Sequence, residues 1–93
     1  MQNFPNPFVN VTSMRFSVPG RSSSKEKVKT SIDIFDVSGR LIRRLIREDM
    51  FPGVYQVVWD GKTTEAKGAP SAIYLCRLKI GERSGTRKVL LLR

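Results

Sequence analysis

Two acids in the stretch DGKTTEAKG, Asp60 and Glu65, are the residues of this 93-residue chain best placed by type and spacing to hold a cation. Calcium takes about 6–8 oxygen ligands, several of them carboxylate. Here the two acids alternate with Lys62 and Lys67, so the loop supplies too little negative charge, and no bound metal is expected. The other acids are scattered. The adjacent pair Glu48 and Asp49 reads as a loop edge beside Met50. Histidine is absent and Cys76 is the only cysteine. That excludes zinc sites built from Cys and His clusters, Ser-His and Cys-His nucleophile pairs, and any internal disulfide. Neither an enzyme nor a cofactor is expected. Cys76 reads as a small buried hydrophobe on a strand.

The remaining chemistry is charge. Seventeen Lys and Arg stand against eight Asp and Glu, a formal net charge of +9. Arg43, Arg44, Arg47, Arg77, Lys79, Arg87 and Lys88 all fall at outward strand positions. Such an excess draws a domain to anionic surfaces and says little about its fold. Nucleic-acid binders usually pair a basic patch with stacking aromatics or a groove-reading helix. Neither is evident, so no specific nucleic acid is expected. A solvated face and contact with an anionic surface glycan both remain open.

The elements that must position these charges read as strands. SMRFSV sets Met14, Phe16 and Val18 against Arg15 and Ser17, a period of two with one apolar face. VKTSIDIF sets Val28, Thr30, Ile32 and Ile34 against Lys29, Ser31 and Asp33. VYQVVW groups Tyr55, Val57 and Trp59, and IYLCRLKI groups Tyr74, Cys76, Leu78 and Ile80. PGRSSSKEK reads as a hairpin loop, DVSG as a turn with Gly39 at positive φ, and GERSG as the turn into TRKVLLL. In RLIRRLIRE the apolar residues at 41, 42, 45 and 46 fit a short amphipathic helix as well as a strand. A strand is the expectation, because the stretch is short for an uncapped helix and its neighbours are strands. Apolar residues on both its faces imply a strand covered on two sides, or a bulge. Six or seven short strands at this spacing predict a single antiparallel β-sandwich of the immunoglobulin or fibronectin kind. The Cys…Trp…Cys signature of immunoglobulin domains is missing.

At the two ends the sequence is unusual. In NFPNPF, Pro5 and Pro7 fix φ and withhold donors, so the segment is extended and cannot sit mid-sheet, while Phe4 and Phe8 could plug one end of a sandwich. TRKVLLLR places Val89, Leu90, Leu91 and Leu92 between Arg87, Lys88 and Arg93. That alternation puts aliphatics on both faces, as in a strand with one face in a core and the other available to a partner. No run approaches the ~20 apolar residues of a membrane span, and Met1 leads straight into QNFPNPF with no apolar signal region, which reads as a fragment of a longer parent.

Four stretches, NFPNPF, IDIFDVSGRLIRRL, GVYQVVWDGK and PSAIYLCRLKIGERSGTRKVLLL, occur in this order from about Asn3 to Arg93. Together they resemble the type A C-terminal sorting domain of the type IX (Por) secretion system, and are similar to the immunoglobulin-like domain of flagellar hook-capping proteins. The resemblance implies one seven-stranded antiparallel sandwich over residues 1–93, at the end of a longer secreted parent. The outer-membrane translocon would recognise it and carry the attached N-terminal domains through the periplasm and out to the medium or the cell surface. It marks Arg87, Lys88, Val89, Leu91 and Arg93 as recognition candidates, and Phe4, Pro5, Pro7, Phe8, Gly39, Trp59, Asp60, Gly61 and Tyr74 as structural ones. Trp59 is expected in the core, with Asp60 and Gly61 turning the chain. The sequence departs from the family at Thr63, where relatives often carry a second acid, and at Ala72, where they usually carry Gly. The first removes a calcium ligand; the second questions a turn, because Ala resists positive φ. Two other roles compete: a structural module of hook-capping type, and an accessory glycan-binding module of an extracellular enzyme. Against the latter, Tyr55, Trp59 and Tyr74 sit in core-like alternation rather than on an exposed platform.

Overall fold

A computed structural model describes residues 7–8, 11–21 and 25–92. Phe4, Pro5 and Arg93 lie outside the described residues, as do the side chains of Pro7 and Phe8 and hence the plug expected of the aromatics. The described residues are all-β and contain no helix. Six strands of seven to ten residues form two antiparallel sheets: β2 (Thr12–Val18), β3 (Val28–Asp36), β4 (Leu41–Met50), β5 (Gly53–Trp59), β6 (Ala72–Ile80) and β7 (Arg83–Leu91). A two-residue β1 (Pro7–Phe8) runs parallel to β7, with Pro7 opposite Leu90. One sheet has the order β1-β7-β6-β3-β4, the other is the pair β2-β5. Pro7 thus stands on a sheet edge, where its missing N–H costs nothing.

The two sheets share one core. β2 turns Met14, Phe16 and Val18 inward and β5 adds Val57 and Trp59; the larger sheet supplies Ile32, Ile34, Tyr74, Cys76, Ile80, Val89 and Leu91. Phe16 stacks on Tyr55 across the β2–β5 pair, ring centroids 5.6 Å apart. Trp59 is fully buried and meets Tyr74 edge-on at 5.2 Å, a geometry favoured by the ring quadrupoles. Burial of Cys76 pushes its thiol up to about 12, because a thiolate there would lose its water.

Several local expectations are corrected. PGRSSSKEK does not join a hairpin: β2 pairs with β5 and β3 with β4 and β6, so the strands on either side of it belong to different sheets, and residues 22–24 within it lie outside the described residues. Alternation shows which face is buried but not which strand is the neighbour. The crossing is tight at Gly20, where φ is 133° and a Cβ would lie 2.6 Å from Pro52 Cγ. The GERSG turn is shorter than its composition implied, since Gly81 and Glu82 alone connect β6 to β7 and the ladder resumes at Arg83. Glu48 and Asp49 are strand residues opposite Thr30 and Lys29, not a loop edge. Ala72 opens β6 without positive φ; among the described residues the non-glycine residue that carries it is Ala66, at 63°. Gly39 does take positive φ, 90°, in a turn that Asp36 organises by accepting from the Ser38 hydroxyl, the Ser38 N–H and the Arg40 N–H.

The ambiguous RLIRRLIRE is strand, and the reason it looked helical is visible. Register shifts leave Leu45 and Ile42 without partners in β3, since Ile32 pairs with Ile46, Asp33 with Arg44, Ile34 with Arg43 and Phe35 with Leu41. Each is a bulge, one extra residue in the strand. Two bulges three residues apart turn a period of two into inward-leaning pairs, with Ile42, Leu45 and Ile46 all packed against the core. That spacing imitates a helix face.

Candidate functional site

The bulges decide where the basic residues go. Arg43 shares a ladder position with inward-facing Ile34, not with the outer face on which the sequence placed it. Its Nη1 reaches Asp60 Oδ1 at 3.4 Å, the Lys62 carbonyl at 3.4 Å and the Thr63 carbonyl at 3.3 Å. The loop after β5 is thereby tied to β4. The unpaired Ile42 presents its carbonyl to the same loop and accepts from the Thr64 N–H and hydroxyl. Trp59 donates Nε1–H to the Lys62 carbonyl at 3.0 Å, and Asp60 Oδ1 also accepts from the Lys62 N–H. Gly61, at φ 72°, turns the chain between them and accepts from the Ala69 N–H. Asp60 thus helps to close this loop through Oδ1, and Glu65 is exposed. Among the described residues, no three His, Cys, Asp or Glu side chains are grouped to hold a metal ion.

The outward face of the five-stranded sheet is built from ladder rows. Across β7, β6, β3 and β4 one row reads Ser84, Lys79, Ser31, Arg47 and the next Thr86, Arg77, Asp33, Arg44. The β6, β3 and β4 members of these rows floor and rim a cleft of about 590 Å³, bounded at one end by Lys29, Glu48 and Asp49 and at the other by Phe35. Arg44 Nε lies 3.2 Å from Asp33 Oδ1. The third row is different in kind: Lys88, Leu75, Phe35, Leu41, followed by Leu90 opposite Ile73. Ile73 is 45% exposed, Leu92 47% and Leu41 41%, while Leu75, Leu90 and Phe35 are half-buried. An apolar strip thus runs beside the last third of β7. Contiguous exposed apolar surface rimmed by polar groups marks an interaction site more often than scattered exposed side chains do.

The five recognition candidates do not form one surface. Val89 and Leu91 have no exposed area and belong to the core. Arg87 pairs with Cys76 and Lys88 with Leu75, which puts the two cations on opposite faces of β7. What β7 shows outward near its end is Lys88 and Leu90, with exposed Leu92 just past it; of these only Lys88 was among the recognition candidates. The parity was recoverable: a two-residue turn at Gly81–Glu82 sets Ile80 opposite Arg83 and makes odd positions of β7 face inward. Tyr74 is buried, its hydroxyl donating to the Pro70 carbonyl.

Compared with family models, curated proteins and solved structures, the chain matches none. No helix among the described residues is long and apolar enough to cross a membrane.

Proposed function

We propose that this domain is a non-catalytic, immunoglobulin-like sorting module that directs proteins joined to it through type IX secretion to the cell surface. Three features support the architecture. The strand order fits the immunoglobulin plan, in which a G-F-C-C′ sheet faces a B-E pair: β7-β6-β3-β4 against β2-β5. β1 then stands where an initial strand runs parallel to the last one. Tyr74, at the corner where the chain crosses from β5 to β6, bonds back to Pro70 and precedes Cys76 by two residues, in the manner of a tyrosine corner.

The observation that carries the recognition role is the apolar strip of Ile73, Leu75, Leu90 and Leu92 beside Lys88. Ile73 and Leu92 leave nearly half of their surface in water although the opposite face of the sheet fills the core. A translocon groove that accepts the outer side of β7 would bury them and meet the adjacent cation.

The test fuses the domain to a reporter in a host with type IX secretion. Ile73→Ser with Leu92→Ser alters exposed side chains, so each should change stability by only about 0.5 kcal/mol, while secretion of the reporter should fall sharply. Lys88→Glu should act in the same direction. Leu91→Ala truncates a buried side chain and should cost about 2–5 kcal/mol, so its secretion defect should track unfolding. Undiminished secretion of the folded Ile73→Ser, Leu92→Ser variant would rule out the strip as the recognised surface.

A further inference from the structure

The basic cleft on the outer sheet face is not used by the sorting reading, which rests on the apolar strip at the other end of that face. We infer that this cleft is a binding site for an anionic polysaccharide, one whose sugar rings carry sulfate or carboxylate groups.

The ladder fixes the arrangement. Lys79 and Arg47 flank Ser31 in one row, and Arg77 and Arg44 flank Asp33 in the next. Neighbouring strands lie about 4.8 Å apart, so each row spans two cations roughly 10 Å from one another with a polar residue between them. The cleft volume, about 590 Å³, falls within the ~300–1,000 Å³ range of ligand clefts. The lining carries Lys29, Arg44, Arg47, Arg77 and Lys79 against Asp33 and, at one end, Glu48 and Asp49, so cations predominate, and guanidinium forks suit sulfate and carboxylate in particular. The middle of the cleft has a different chemistry. Ser31 offers a hydroxyl, and Asp33, with one oxygen on Arg44, has a second oxygen able to accept.

That central carboxylate separates the ligand classes. It accepts hydrogen bonds from sugar hydroxyls, which a polysaccharide has on every ring. It repels a phosphodiester backbone, whose oxygens along the chain are acceptors only. Single-stranded nucleic acid also needs ring faces for its bases to stack on, and the one aromatic at the cleft, Phe35, is half-buried at its end.

The experiment uses the isolated chain, so its outcome is independent of any secretion assay. Heparin serves as the sulfated probe, dextran as the neutral one and a single-stranded DNA oligomer as the phosphate polymer, with binding followed by titration at several salt concentrations. Two triple variants carry the same net charge. Arg47→Gln, Arg77→Gln, Lys79→Gln empties the cleft rim, and Lys25→Gln, Lys62→Gln, Lys67→Gln removes three exposed cations elsewhere. The cleft variant should lose heparin affinity by about tenfold or more through its missing charge-assisted contacts, the matched variant markedly less, with dextran unbound. All six positions are exposed, and unchanged thermal melts confirm that each variant is folded. Equal losses in the two variants would show that net charge alone binds the probe and would overturn the proposal. So would cleft-dependent DNA binding tighter than heparin binding.

Discussion

Replacing Trp59 by Phe separates the packing of that side chain from its hold on the loop that follows. The Phe ring retains the position facing Tyr74 but loses the Nε1–H that reaches the Lys62 carbonyl at 3.0 Å. Two terms add. A smaller ring in a site with no exposed surface leaves a void of roughly 40 Å³, and at about 24 cal/mol per Å³ this costs about 1 kcal/mol. The lost hydrogen bond costs a further ~0.5–1.5 kcal/mol. It does not cost more, because Arg43 Nη1 still donates to the same carbonyl. The expected destabilisation is therefore about 2 kcal/mol, which for a domain of this size lowers Tm by about 8–16 °C. Lys62 and Lys67 lie in the loop itself, so trypsin reports on it directly. Under native conditions, cleavage after these two lysines should accelerate more than cleavage after exposed Lys79 and Lys88 in the sheet. Trp59→Phe with a melt within about 3 °C of the parent, or with uniform acceleration at all sites, would refute the claim that the indole anchors the loop.

Ala66 carries a left-handed φ of 63°, which an L side chain adopts at a cost of about 1 kcal/mol. Ala66→Gly should therefore raise stability by up to about 1 kcal/mol in urea melts, although Gly in most other positions lowers it. Cys76 should be inert to a thiol reagent at pH 8 in the folded domain and react at once in denaturant, since burial lifts its thiol to about 12. Its folded value lies above the unfolded one, so this contribution to stability is complete below about pH 8.5 and declines as pH rises toward 12, by about 1.4 kcal/mol per pH unit. Cys76→Ser, which cannot form a thiolate, should show a flatter loss over that window.

Much of the core was legible because burial on a strand has a period of two. Met14, Phe16 and Val18, then Ile32 and Ile34, then Val57 and Trp59, then Tyr74 and Cys76, each reveal their inward face without reference to any partner strand. The Asp36–Gly39 turn was legible for a similar reason, because Asp36 and Gly39 act within four residues. Charge was countable, and the absence of histidine bounded the chemistry. What the sequence alone could not decide was everything that depends on which strand lies beside which. The pairing of β2 with β5 instead of β3 is a choice between surfaces distant in the chain, and alternation is the same in either case. The bulges at Ile42 and Leu45 arise only against β3, and they turn Arg43 from an outward cation into a clamp on the Asp60 loop. The cleft exists because β3, β4 and β6 bring Ser31, Arg47, Asp33 and Arg77 into adjoining rows. Local patterns determine which side of a strand is wet; only the assembled sheet determines which wet side chains share a surface.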